Sequence, residues 1–253
     1  MKLYSRVLGE GQPLLIIHGL FGMSDNWQSL AKRYADYFEV HLIDQRNHGR
    51  SPHADEFSYL HLSNDLHRYV IDNQLNDVVI IGHSLGGKTA MHFAVSYPEL
   101  LSKLIIVDIS PRFYPIHHDK IIEGLKMLDF SILKSRSQAD TVLSEYIEEH
   151  DVRQFLLKSM YWKEKGQLDF RFNLKSISQN IANVGEALDN EANCSIPTLF
   201  IKGGNSNYIN DDDEDLIFKH FTDAEIQTVD DVGHWLHAEK PQEFFEMTIR
   251  FCL

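Results

Sequence analysis

Ser84 lies in Val78-Val79-Ile80-Ile81-Gly82-His83-Ser84-Leu85-Gly86-Gly87, surrounded by the residue types a nucleophilic serine needs. Its hydroxyl attacks a carbonyl only if it protrudes from a tight corner, open to the substrate and to a base. Gly82 and Gly86, two residues to either side, relieve crowding at such a corner. The four β-branched residues Val78 to Ile81 read as a buried strand, and Lys88 to Val95 reads as a helix ending before Pro98. Strand, turn and helix are the context that gives G-x-S-x-G chemical meaning. The helix start also aims N–H groups and a positive dipole end at the serine.

The serine needs a base and an oxyanion site. Gly233-His234-Trp235 follows the last expected strand, which makes His234 the candidate base among 14 histidines. The oxyanion donors expected are the backbone N–H of Leu85, next to the nucleophile, and that of Leu20 in His18-Gly19-Leu20-Phe21-Gly22. His18 ends its own strand and reads as a residue that orders this loop by hydrogen bonding. The loop is not a dinucleotide site, since G-x-G-x-x-G is absent. No His-Glu-x-x-His pattern occurs and the other histidines are scattered, so neither a metal nor a cofactor is expected. Asp44, Arg46 and His48 read as a buried polar set holding the loop. Asp211 to Asp215 reads as a solvated helix start, where acids are favourable.

Alternating elements must position these groups. Strands are expected at Leu3 to Leu8, Pro13 to His18, Glu39 to Asp44, Val78 to Ile81 and Lys103 to Asp108. Helices fall between them at Trp27 to Tyr37, capped by Ser24 or Asp25, at Leu62 to Gln74 and after Ser84. This alternation implies an α/β fold, a mostly parallel central sheet with helices on both faces. It stops after Asp108. From Arg112 to Asn190 only helical patterns occur, among them Ile121 to Leu128 and Ala139 to Glu149. The strand Pro197 to Ile201, a helix at Leu216 to Phe221, the strand Glu225 to Val229 and a helix at Gln242 to Phe251 complete the chain. The division expected is a core of residues 1–110 and 191–253 and a helical lid of residues 111–190, inserted after the strand ending at Asp108. Phe113, Tyr114, Phe130, Phe155, Tyr161 and Trp162 either wall an acyl pocket or pack the lid's own core.

A chain of 253 residues suits one large domain with an inserted subdomain. Its net charge of −13 argues against nucleic acid or an anionic membrane surface as partner. The insert carries net −1 and the remainder −12, a split that composition alone can produce and that would also tolerate an anionic substrate. Cys194 and Cys252 form neither a metal spacing nor a disulfide framework and read as small residues of a reducing compartment. No apolar run follows Met1 to Arg6 and none elsewhere is long enough for a bilayer. A soluble cytoplasmic protein without membrane insertion is expected.

Over nearly its whole length the chain resembles the α/β-hydrolase superfamily, and within it the YbfF-type bacterial esterases. The segments that carry this are His18 to Gly22, Asp44-Gln45-Arg46-Asn47-His48-Gly49-Arg50-Ser51, Gly82 to Lys88, Val107 to Pro111, Gly203 to Tyr208 and Gly233 to Pro241. The resemblance implies an α/β-hydrolase fold and hydrolysis of a small-molecule carboxylic ester, and by the same chemistry of an acyl thioester. A serine rather than an aspartate at the elbow argues against dehalogenase and epoxide hydrolase chemistry. A carbon–carbon bond hydrolase with the same triad, or a ligand-binding or receptor module on the same scaffold, stands as the alternative.

The triad acid departs from the superfamily's commonest pattern. There the acid follows the strand after the lid, but here Asn205, Ser206 and Asn207 fill that loop. None of them can stabilise an imidazolium. Asp211 comes next, in a run that reads as exposed. Asp108 ends the strand after the elbow helix, on the same sheet edge as Ser84 and His234. The expected triad is therefore Ser84, His234 and Asp108.

Overall fold

β-Branched runs with no polar interruption build the centre of a seven-stranded sheet in the computed structural model, which describes residues 1–116 and 118–253. Along the chain come β1 (Tyr4–Leu8), β2 (Pro13–Ile17), β3 (Glu39–Asp44), β4 (Val78–His83) and β5 (Leu101–Val107). Two short strands, β6 (Met160–Glu164) and β7 (Gln167–Phe170), stand apart, and β8 (Thr198–Gly203) and β9 (Ala224–Val229) complete the sheet. The order is β1-β3-β2-β4-β5-β8-β9. Only β1 runs antiparallel to its neighbour, and every other pair is parallel. Gly82 pairs with Ile17 on one side and Ile106 on the other, so β4 brings Ser84 to the middle of the carboxyl edge.

Period-two alternation divides the core between the two faces. Leu15, Ile80, Ile106 and Phe200 face α2 (Tyr59–Asp72) and α3 (Leu85–Ser96), while Leu14, Ile81, Ile105 and Leu199 face α1 (Gln28–Tyr34) and a C-terminal helix. The expected start of the first helix at Trp27 is one residue early. Ser24–Trp27 is a 3-10 turn, and Asn26 rather than Ser24 or Asp25 satisfies an orphan donor, accepting from the Met23 N–H at 2.8 Å.

The chain between β5 and β8 holds α4 (Asp119–Lys126), α5 (Arg136–Leu143), α6 (His150–Lys158), α7 (Leu174–Gln179) and α8 (Ile181–Val184). The expectation of helices alone is corrected here. β6 and β7 form an antiparallel hairpin, Tyr161 opposite Asp169 and Trp162 opposite Leu168. Aromatic residues suited to a pleated strand precede Gly166, which turns at φ +84°. The helix expected over Ala139 to Glu149 ends at Leu143. Leu125, Leu143, Leu156 and Phe170 of this segment share one core with Leu20, Phe21 and Leu85. Each fully buried leucine contributes roughly 1.5–3 kcal/mol, so this packing fixes the segment on the carboxyl edge.

After β8 come α9 (Glu214–His220), α10 (Leu236–Glu239) and α11 (Pro241–Cys252). The acidic run before α9 is only partly the solvated helix start expected. Asp213 is buried and accepts from Ser110 Oγ at 3.0 Å and from Arg112 Nε at 3.0 Å, because it anchors the chain leaving β5.

Candidate active site

The turn from β4 into α3 holds Ser84 at φ 54°, ψ −116°, a conformation that a side chain with a Cβ adopts only under constraint. The constraint is visible on both sides. Its N–H donates to the Val107 carbonyl at 3.0 Å, and its own carbonyl accepts from Lys88 N–H at 3.0 Å. A Cβ on Gly82 would collide with the Gly86 backbone, and one on Gly86 with the Ile17 and His18 carbonyls. Only glycine lets these chains meet.

Asp108 leaves β5 at φ 50° with its side chain fully buried. Oδ1 accepts from the Gly203 N–H at 3.1 Å. Oδ2 accepts from Ser206 Oγ at 2.5 Å and from His234 Nδ1 at 2.7 Å. With Nδ1 donating, Nε2 of His234 carries the lone pair. The His234 ring stacks on Tyr208, 4.0 Å between centroids, and its carbonyl accepts from His83 Nε2 at 2.8 Å. Ser84 and His234 line one cavity with Leu20, Phe155 and Trp235. Asp211, the rival acid, is 96 % exposed and pairs with Lys202 at 3.2 Å.

Leu20 and Leu85 border the space in front of Ser84, and Leu85 opens α3, where backbone N–H groups have no helical partner. The Leu20 loop is held by neutral histidines. His18 Nδ1 donates to the Gly19 carbonyl at 2.8 Å, and its Nε2 accepts from Gln45 N–H at 3.1 Å. His48 Nδ1 donates to the Arg46 carbonyl at 2.9 Å, and its Nε2 accepts from Phe21 N–H at 3.1 Å. Both accept through Nε2, which requires the uncharged ring. Burial pushes His18 down to about 4, and burial plus the neighbouring His18 pushes His48 to about 3. Asp44, Arg46 and His48 are all buried, but they are not one ion-paired set. Arg46 pairs with Asp65 at 2.6 Å, and Asp44 instead accepts the N–H groups of Ser24 and Arg50 at 2.6 and 2.8 Å. Asp65, in the second turn of α2, is the nearer partner because the loop folds back on that helix.

The insert's aromatics divide. Phe155 and Tyr114 line cavities at Ser84. Phe113 and Trp162 do not: they are 59 % and 56 % exposed, Trp162 on the outer hairpin. Phe130 packs on Phe170 instead, and Tyr161 lies under Arg171.

Comparison with known proteins matches the same architecture. Residues 12–131 fit the family model described as alpha/beta hydrolase fold. A putative esterase/lipase of Haemophilus influenzae is 38 % identical over 240 residues, covering 94 % of this chain and 82 % of that protein. The chain belongs to the α/β-hydrolase superfamily. Esterase YbfF of Escherichia coli is 31 % identical over 243 residues, covering 96 % of this hydrolase and 93 % of YbfF. The solved structure of a marine microorganism esterase is 45 % identical, with a TM-score of 0.95 over 99 % of both chains. The resemblance to YbfF-type esterases read from the motifs therefore holds.

Several residues of the hydrolase's site were not legible as such. Ser206 occupies the loop where a carboxylate is usual, and position was its only signal. Tyr208 and Trp235 sit beside motif residues, but nothing in their spacing tells a pocket wall from core. Lys88 belongs to the Gly82 to Lys88 segment that carries the resemblance, but no local pattern says that its side chain is buried, with Nζ donating to the carbonyls of Pro111, Arg112 and Glu186 at 3.2, 2.5 and 2.7 Å. Among the described residues, no helix is long and apolar enough to cross a membrane.

Proposed function

We propose that the protein is a serine carboxylic ester hydrolase working through an acyl-enzyme, with Ser84, His234 and Asp108 as its triad. The observation that carries this is His234, held at Nδ1 by buried Asp108 and facing the same cavity as Ser84. His234 Nε2 takes the Ser84 proton as Oγ attacks the acyl carbonyl. The oxyanion accepts from the N–H groups of Leu20 and Leu85. The resulting imidazolium sits against the Asp108 carboxylate, then protonates the departing alcohol or thiol. Water, deprotonated by His234, releases the acid and restores Ser84. Residues 111–190 act as a lid that walls the acyl and alcohol sites and excludes bulk water. Carboxylic esters are the substrate class, and acyl thioesters offer the same carbonyl to the same nucleophile.

The test is turnover of p-nitrophenyl esters and acyl-CoA thioesters by the purified protein and by Ser84→Ala. The variant should fold and lose about 10⁴-fold or more in kcat, since nucleophile and base act as a unit. A fluorophosphonate should label the parent protein and not the variant. A folded variant retaining more than about a tenth of the activity would remove Ser84 from the chemistry.

A further inference from the structure

We infer that the preferred substrates join a short acyl group to a bulky apolar alcohol or thiol. This rests on the proposed serine hydrolase chemistry and adds which half of the ester each cavity takes. Among the described residues two cavities meet at Ser84 and share Leu20, His118 and Tyr208. One measures about 240 Å³ and is lined by His234, Trp235, Phe155, Leu156, Val152 and Ile121. The other measures about 30 Å³ and is lined by Leu85, Ile109, Tyr114, Ile181 and Val184.

The position of His234 assigns them. The leaving oxygen or sulfur must receive its proton from His234, so the alcohol or thiol half lies on the side His234 lines. Of the tetrahedral carbon's remaining substituents, one bond goes to Ser84 Oγ and one oxygen to the Leu20 and Leu85 N–H groups. The acyl chain is left for the small cavity, which Leu85 lines and His234 does not. Roughly 10–15 Å³ on this measure holds one water, so the small cavity accepts about two or three heavy atoms. Its aliphatic residues stand beside Tyr59, Tyr114, His118 and Tyr208, so size rather than polarity is what it selects.

Part of the small cavity's wall is also pinned by hydrogen bonds. Tyr59 OH donates to the Val184 carbonyl at 2.7 Å, and Tyr114 N–H to the Gly185 carbonyl at 2.8 Å. Tyr114 OH donates to the Tyr208 carbonyl and accepts from Ser110 N–H. Enlarging it on the side of Tyr59, Tyr114 and Val184 means breaking these bonds. The large cavity's α6 wall contributes Val152, Phe155 and Leu156 through apolar contact, which yields to varied shapes.

Two ester series test the partition. With p-nitrophenol fixed, kcat/KM should hold from acetyl to butyryl and fall by roughly 100-fold at octanoyl, as an overfilled apolar site does. With acetate fixed, kcat/KM should rise roughly tenfold or more from ethyl to hexyl or 2-naphthylmethyl ester. Ile181→Ala should move the acyl cut-off to longer chains, and Phe155→Ala should flatten the alcohol series. An octanoyl preference with no dependence on the alcohol, in an enzyme that Ser84→Ala inactivates, overturns the partition and leaves the hydrolase reading intact. No turnover of any ester and no fluorophosphonate labelling of the folded protein overturns both.

Discussion

Ser206 Oγ donates to the same carboxylate oxygen of Asp108 that accepts the Nδ1–H of His234. The loop after β8, where the superfamily's acid commonly sits, thus supplies a hydrogen-bond donor to an acid that arrives from β5. Both strand ends reach His234 because β5 and β8 are adjacent, with Val107 opposite Ile201. The loops after β5 and β8 therefore meet at one carboxylate beside His234.

Asp108→Asn should keep the fold and lower kcat by about 10⁴-fold, the scale seen when a triad acid becomes an amide. The amide favours the wrong tautomer of His234. Asp211→Asn, at a 96 % exposed side chain, should change kcat by less than about twofold. Steady-state kinetics on a p-nitrophenyl ester decides between them, and the reverse pattern would move the acid to the loop after β8.

Ser206→Ala removes one of three donors to Asp108, and a hydrogen bond to a charged group is worth about 1.5–3 kcal/mol. A fall in kcat of roughly tenfold should follow. In the Asp108→Asn background, Ser206→Asp should recover at least about tenfold of the lost activity. A double variant as inactive as Asp108→Asn would show that the acid cannot be moved between the two loops.

How much could be read without coordinates follows from where the information sits. The elbow, the parallel sheet and the choice of Asp108 over Asp211 come from local signals: an apolar run, glycines at fixed offsets, a strand end on a known edge. The hairpin at Met160 to Phe170 escaped because four or five residues of strand leave little periodicity to read. Ser206 acts through a partner 98 residues away and Lys88 through partners 23, 24 and 98 residues away, and no local pattern encodes those contacts. Phe113 and Trp162 have the right type for a pocket wall, but type says nothing of which way a lid residue faces.

Acid should unfold the enzyme through its neutral histidines. Burial pushes His18 down to about 4 and His48 and His237 to about 3, against an ordinary value of 6.5 once unfolded. Between those values the unfolded chain binds more protons than the folded one, so stability is full above pH 6.5 and falls as pH drops. The loss should be on the order of 1–2 kcal/mol per histidine at pH 5. Urea midpoints at pH 7, 6 and 5 measure it. His48→Gln should start lower, having lost the Phe21 N–H acceptor, but decline less steeply. A midpoint constant from pH 7 to 5 would contradict the neutral-histidine account.

Lys88 closes the base of the insert, and removing it separates local from global stability. Its Nζ joins Pro111 and Arg112, on the loop leaving β5, to Glu186 on the returning loop. Two backbone bonds cross the same gap, Tyr114 N–H to the Gly185 carbonyl and Leu188 N–H to the Pro111 carbonyl, each 2.8 Å. Burial and the nearby Arg112 push the Lys88 ammonium down to about 7, and the three carbonyls, with the charges of Asp213 and Glu186, offset part of that cost. Lys88→Met keeps the apolar stem and removes that cost, so the thermal midpoint should move by only a few degrees. The stems lose their shared donor, and exchange of the Tyr114 and Leu188 amides should quicken by about tenfold or more. Because Tyr114 walls the small cavity, KM should rise more than kcat falls. Amide exchange unchanged by Lys88→Met would show that the two backbone bonds and the apolar packing hold the stems without the lysine.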